Sequence, residues 1–177
     1  MNANGNWGVK RVFGMVGHSN LGLADAIRRQ TVAGAMDYVA IRHEGAASFA
    51  CSAYGKLTGK PAACLTIAGP GATNLLTGLW DAKVDRAPVL ALTGQVQTQV
   101  FGPGAFQDID LSSAFDAVTR FSQTVLTTSN HAELASLAVK NALVERDVAH
   151  LIFLDDVQTL PSDEKARGLE GRLGLAA

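Results

Sequence analysis

The sequence predicts a three-layer α/β/α fold, doubly wound around a largely parallel sheet of about six strands. Three observations carry this. Short β-rich runs alternate with helical patterns along most of the chain, as βαβ units require. The run "PAACLTIA" (61–68) is apolar without alternation, the mark of a strand covered on both faces. Glycine-rich turns, "GMVG" (14–17) and "GPG" (69–71), follow the first and third runs, where such folds bind ligands.

The elements follow in order. "KRVFGMV" (10–16) reads as the first strand, and Ser19 or Asn20 is placed to cap the helix "LGLADAIRRQ". "DYVAIRH" (37–43) is the second strand. Glu44 opens a helix that runs to Thr58 and stops at Gly59. After the 61–68 strand, Gly69-Pro70-Gly71 turns into the helical stretch "ATNLLTGLWDAKV". "PVLALTG" (88–94) is the fourth strand, followed by an aperiodic loop over 94–109, a length usually reserved for function or disorder. A helix is predicted from near Asp110, a strand over 120–126, an amphipathic helix capped by Asn130, and a last strand over 149–157. Residues 1–8 read as a disordered or truncated N-terminus, 9–160 as the domain, and 161–177 as a polar linker toward a domain not contained in this chain.

Composition bounds the function. With 177 residues, 47% of them hydrophobic and 18% charged, the chain is a single globular domain. A formal net charge of −1 argues against a nucleic-acid partner recruited by net charge. No apolar run is long enough to span a bilayer and no signal peptide is recognisable, so the expected location is cytoplasmic. Cys51 and Cys64 lack metal-ligand spacing and read as small buried thiols in a reducing compartment. The sequence holds no GxGxxG fingerprint, P-loop, GxSxG elbow or zinc-spaced His/Cys cluster.

Glu44 is the most informative residue. It reads either as a first-turn glutamate favoured by the helix dipole or as a buried carboxylate with tuned proton affinity. The run of small residues after it, Gly45, Ala46, Ala47, Ser48 and Ala50, favours the second reading, as walls of a tight, water-poor site. His18, in the first glycine turn, could face a ligand or only solvent. His43 reads as structural, and Asp155–Asp156 as a pair facing the linker rather than a metal site. No metal site is predicted within the chain.

Together "VFGMVGHSNLGLADAI", "RHEGAASFACSAYGKLTGKPAACLTIAGPGATNLLTGLWDAKVDRAPVLALTGQ" and "AFQDID" resemble the N-terminal pyrimidine-binding (PYR) domain of thiamine-diphosphate-dependent 2-keto acid enzymes. The similarity covers residues 8–160 and is strongest to the pyruvate oxidase and acetolactate synthase classes. The resemblance implies that Glu44 is the catalytic glutamate, sharing a proton with N1′ of the cofactor's aminopyrimidine and so activating C2 to attack a keto carbon. It implies cofactor contacts from Val16, Gly17, His18, Ile67, Pro70, Asn74 and Gln107. Phe106 and Gln107 match a loop that reaches a neighbouring subunit. With Leu75, Leu79 and Trp80, read as an exposed patch on the helix after Gly71, they form the expected interface.

The resemblance further implies thiamine diphosphate as cofactor, with Mg²⁺ held by a domain outside this chain, and it admits FAD in the complete enzyme. The expected partners are the protein's own diphosphate-binding domain or a separate subunit carrying it, a homo-oligomer (dimer or tetramer), and a small 2-keto acid substrate. His18 departs from the glycine usual in the oxidase and synthase classes, and the chain has no GDG motif and no helix before the "WGV" segment. These departures leave the acceptor open (oxygen, quinone or a second keto acid) and predict that the chain alone is inactive. The rival reading is a non-catalytic dimerisation or binding module that keeps only the fold.

Overall fold

The structure, a computed structural model, describes residues 7–161. Six strands form one parallel sheet: β1 (Arg11–Gly14), β2 (Asp37–Ala40), β3 (Ala62–Thr66), β4 (Val89–Gln95), β5 (Phe121–Val125) and β6 (Val148–Leu154). Their spatial order is β2-β1-β3-β4-β6-β5, with every neighbouring pair parallel. The helices are α1 (Leu21–Val32), α2 (Glu44–Thr58), α3 (Pro70–Thr73), α4 (Leu76–Val84), α5 (Leu111–Phe115) and α6 (His131–Glu145).

Alternation along the strands sorts the core into two layers. Ala63, Leu65, Leu90, Leu92 and Leu151 pack with Leu23 and Ile27 of α1 and Ala138, Val139 and Ala142 of α6. Ala62, Cys64, Val89, Ala91 and Ile152 pack on the opposite face with Ala47 and Cys51 of α2, Leu79 and Ala82 of α4, and Phe115 of α5. β3 and β4 are buried along their whole length, as the unbroken apolar run predicts. The fold is thus the expected three-layer, doubly wound α/β/α.

Helix ends follow local chemistry. α2 spans the predicted 44–58 and closes on Gly59, whose φ of 69° suits glycine. Asn130 caps α6 through Glu133 N–H, and Asp110 caps α5 through Ser113 N–H. The predicted cap of α1 is not made. Asn20 instead accepts from Gly17 N–H at 2.9 Å and donates to Met15 O at 3.0 Å, while the Ser19 hydroxyl accepts from Ala68 N–H at 2.8 Å. Asn20 is turned back onto the turn before the helix and Ser19 across to the turn after β3, and the helix opens with a single 3₁₀ turn over His18–Asn20.

Every strand but β4 is shorter than its predicted run. β1 ends at Gly14, and β2 ends at Ala40 because His43 is spent on capping the next helix. The helix after Gly71 is also broken, at Asn74 and Leu75, into α3 and α4. The expected exposure of Leu75 and Leu79 is incorrect: both are fully buried in the second core layer, on the row that faces the sheet. Trp80, on the outer row, is 54% exposed. Residues 162–177, most of the predicted linker, and residues 1–6 lie outside the described residues.

Candidate functional site

The strand order reverses between β1 and β3: the chain winds from β1 to β2 on one side and onward through β3 on the other. Ligands of such sheets bind outside the carboxyl ends of the strands at this point. Here that place is formed by the turn 15–20 after β1, the turn 67–71 after β3, and the start of α2.

The two glycine turns meet on Ile67. A Cβ on Gly17 would lie 2.5 Å from Ile67 Cγ2, and one on Gly71 would lie 2.6 Å from Ile67 Cγ1. Any larger residue at either position would displace the isoleucine. Gly69 has φ +65°, and a Cβ there would lie 2.9 Å from the Gln107 Cα. Gln107 itself has φ 68°, an unusual value for a residue with a side chain, so the far end of the 96–110 loop is pressed onto the GPG turn in a strained backbone state.

Glu44 is the first residue of α2 and is half-buried. Its Oε2 accepts a hydrogen bond from Asn74 Nδ2 at 3.0 Å. Its Oε1 is next to Gly71, 3.2 Å from where that residue's Cβ would stand, and has no hydrogen-bond partner among the described residues. The backbone is fixed by His43, whose Nδ1 accepts from Gly45 N–H at 3.1 Å. Gly45 also lets Asn74 O approach closely; a Cβ there would lie 3.2 Å from that oxygen. Asn74, at the break between α3 and α4, therefore holds Glu44 by side chain and borders its helix by backbone. One carboxylate oxygen is held and the other is left beside bare glycine backbone, a geometry suited to exchanging a proton with a ligand.

The structure thus brings Gly17, Ile67, Glu44, Asn74 and the Gly69–Gln107 contact to one end of the sheet. Val16 (49% exposed) and His18 flank the first turn on its open side, and Pro70 opens α3. Phe106, 90% exposed, stands on the loop beside Gln107. Trp80 is elsewhere, lining an open groove with Phe49, Thr77 and Val84 between α2 and α4.

Other expectations are revised. Of the small residues after Glu44, Ala47 and Ser48 are not walls around it: with Cys51, Ser52 and Gly55 they are buried against β3, α4 and the 87–88 segment and permit close helix packing, while Ala46 is exposed. Asp156 has a structural role within the described residues; its Oδ1 accepts from Thr98 N–H and Oγ1 at 2.8 and 3.1 Å, anchoring the loop after β4. Among the described residues no three His, Cys, Asp or Glu side chains converge on a metal position. Cys51 and Cys64 are free and buried, and burial together with the Cys64 contact pushes the Cys51 thiol well up.

Three features escaped the sequence reading. His43 is a helix cap, Ser19 joins the first turn to the third, and His150 lies fully buried in the sheet. The His150 ring stacks on Phe115 at 4.0 Å and bonds Thr93 Oγ1 at 2.8 Å and Ser122 Oγ at 3.0 Å. Burial lowers its pKa to about 3.

Comparison with known proteins shows the family. A family described as "Thiamine pyrophosphate enzyme, N-terminal TPP binding domain" matches residues 5–114. The chain is 40% identical over 85% of its length to a Bacillus subtilis (strain 168) protein, YdaP, described as thiamine pyrophosphate-containing, of which it covers 26%. It is 48% identical over 59% of its length to an acetolactate synthase of Arthrospira platensis, covering 18% of that protein. To a pyruvate oxidase of Lactiplantibacillus plantarum it is 31% identical over 89% of its length, again covering 26% of the relative. The chain therefore spans about a quarter or less of the length of these relatives.

Proposed function

Because the chain belongs to the thiamine pyrophosphate enzymes, as their N-terminal TPP binding domain, we propose that it serves an enzyme cleaving pyruvate or a similar 2-keto acid and supplies Glu44 as the proton partner of the cofactor's aminopyrimidine. The single observation behind this is the asymmetric carboxylate: Oε2 held by Asn74, Oε1 beside Gly71. The residues present suit an aminopyrimidine ring. Gly17 and Gly71 let Ile67 pack between the two turns, the half-buried Ile67 offers an apolar contact, and Glu44 offers an acceptor for a ring nitrogen.

Thiamine diphosphate, when bound, supplies the nucleophilic carbon and the electron sink that cleavage next to a carbonyl requires. The residues of this chain do the rest of the work at the pyrimidine end. Glu44 holds or releases a proton at Oε1; Asn74 keeps the carboxylate from rotating; His43 fixes the backbone from which it projects. The Gln107 segment is braced on Gly69, and its neighbour Phe106 is exposed and free to meet a ligand or a partner subunit. The diphosphate and its Mg²⁺ are assigned to the remainder of a longer protein or to a separate subunit, since the family match is to the N-terminal domain alone and the relatives are several times longer. FAD and a homo-oligomeric state belong to that complete enzyme in the same reading.

Glu44→Gln in the full-length protein tests the proposal. The amide is isosteric but cannot take up a proton, so exchange of the C2 hydrogen of bound cofactor, followed by proton NMR, should fall by about 10²- to 10⁴-fold with an unchanged circular dichroism spectrum. An undiminished exchange rate would remove Glu44 from this role and favour a binding module that keeps only the fold.

A further inference from the structure

The turn that carries Val16, Gly17 and His18 is held from behind by a residue near the end of the described chain. Gln158 sits in a 3₁₀ turn, Val157–Thr159, that follows β6. Its Nε2 donates to Ser19 O at 2.9 Å and to Phe153 O at 3.1 Å, and its Oε1 accepts from Leu23 N–H at 3.2 Å. One amide side chain thus closes three elements onto each other: the first turn, the start of α1 and the end of β6.

Two glycines make room for this clasp. A Cβ on Gly22 would lie 2.6 Å from Gln158 Cβ and 2.9 Å from Gln158 O, so the first turn of α1 can rest on the clasp only because residue 22 has no side chain. A Cβ on Gly94 would collide with the Ser19 carbonyl, so β4 presses on the same peptide from the other side. The Ser19 peptide is therefore gripped between β4 and Gln158. Its hydroxyl, 4% of the residue being exposed, accepts from Ala68 N–H, one residue before the GPG turn. A displacement of Ser19 must move the first turn relative to the third, and with it the contact of Gly17 on Ile67.

The geometry points to Gln158 as a positioning residue for the cofactor site: it sets the spacing between the turn 15–20 and the turn 67–71 through Ser19, without touching a ligand. Gln158 lies beyond the segment that matches the family, residues 5–114. The inference rests on the reading of these turns as the pyrimidine end of the site, and its test separates the two.

The first arm uses the 177-residue chain and needs no cofactor. In Gln158→Ala, hydrogen–deuterium exchange at the amides of Gly17, Leu23 and Ala68 should accelerate by about tenfold, the loss of a hydrogen bond or two, while the β3 and β4 amides keep their protection. Unaltered exchange at those three amides, or acceleration throughout the sheet, would overturn the clasp. The second arm uses the full-length protein. Gln158→Ala should raise the KM for thiamine diphosphate by about five- to tenfold with kcat changed by less than about twofold.

Gly22→Ala supplies the control. It improves the intrinsic helix propensity of α1, so a residue of purely structural importance would leave cofactor affinity alone. Pushing a methyl group into Gln158 Cβ should instead reproduce the KM effect of Gln158→Ala. A normal KM in both variants, with local exchange accelerated, would show a clasp with no bearing on the site. A wild-type protein whose activity does not depend on thiamine diphosphate would refute the proposed function and with it the positioning role, leaving only the clasp measured by the first arm.

Discussion

At the scale of single residues, the site depends on how one carboxylate is held. Asn74 donates to Glu44 Oε2 from the end of α3, where its own N–H is held in a helical turn by Pro70 O at 3.0 Å. Asn74→Ala should leave Glu44 free to rotate, at about 1–2 kcal/mol for the lost charge-assisted bond, and lower cofactor C2–H exchange in the full-length protein by about tenfold. Asn74→Asp should be worse than alanine, because a second carboxylate would face the first within hydrogen-bond distance. Equal exchange rates in both variants and wild type would show that Asn74 does not orient Glu44. The role of Asn74 was visible in the sequence only as part of the "GPGATN" resemblance. Its contact with Glu44 crosses thirty positions, and no local pattern encodes it.

At the scale of elements, the packing of α2 on α4 carries a sharp sequence constraint. A Cβ on Gly78 would overlap the Ser48 hydroxyl and come within 2.6 Å of Phe49 N, both part of α2. Gly78→Ala must therefore separate two helices that are otherwise in contact. It should destabilise the chain by about 1–3 kcal/mol, although alanine is the better helix former. Gly59→Ala is the comparison: nothing lies within 4 Å, yet φ is +69°, so its cost of about 1 kcal/mol comes from backbone strain alone. Chemical denaturation of the two variants separates the causes, and a Gly78→Ala protein as stable as wild type would show that the helices can part at no cost. Element boundaries were legible where a single residue fixes them: Gly59 ends α2, Asn130 and Asp110 cap their helices. The buried side of α4 was not. Leu75, Leu76, Leu79 and Trp80 are apolar on more than one side, so periodicity cannot say that Leu75 and Leu79 face the sheet while Trp80 faces out. The small residues of α2 misled for a related reason, since close helix contact and a tight ligand pocket ask for the same side chains.

At the scale of the whole molecule, the parallel, doubly wound character followed from the alternation of elements, but the insertion of β6 between β4 and β5 did not, because strand order is a long-range outcome. The same holds for Ser19 and Gln158, which meet across 139 positions. In the proposed function the work at this scale is divided, and the chain offers contacts to one ring of the cofactor. Calorimetric titration of the 177-residue chain with thiamine diphosphate and Mg²⁺ should show binding weaker than micromolar, since a few ring contacts must offset an association cost of at least about 4 kcal/mol. Micromolar, Mg²⁺-dependent binding would place a complete site within this chain.

The sheet also contains a titratable group that must remain neutral for the fold to persist. His150 is wholly buried, and its pKa of about 3 lies below the ordinary 6.5 because burial penalises the charged ring. Its two nitrogens are occupied by Thr93 and Ser122, and Phe115 covers one face, so among the described residues no acidic side chain favours the imidazolium. Above pH 6.5 both folded and unfolded chains hold the ring neutral, and the group does not alter stability with pH. Between pH 6.5 and 3 the unfolded chain takes up a proton that the native chain refuses, so stability declines as pH falls, by roughly 1.4 kcal/mol per pH unit. Across the whole window the loss approaches roughly 5 kcal/mol, comparable to the total stability of many domains. His150→Gln keeps a donor and an acceptor in the same place but cannot titrate. Urea unfolding of both proteins from pH 7 to pH 4 should give a shallower decline for the variant, the difference in slope corresponding to about one proton. Carboxylates contribute equally to both curves and cancel in that difference. Parallel curves would mean that His150 is protonated within the native sheet, which its burial between β4, β5 and α5 makes the costlier state.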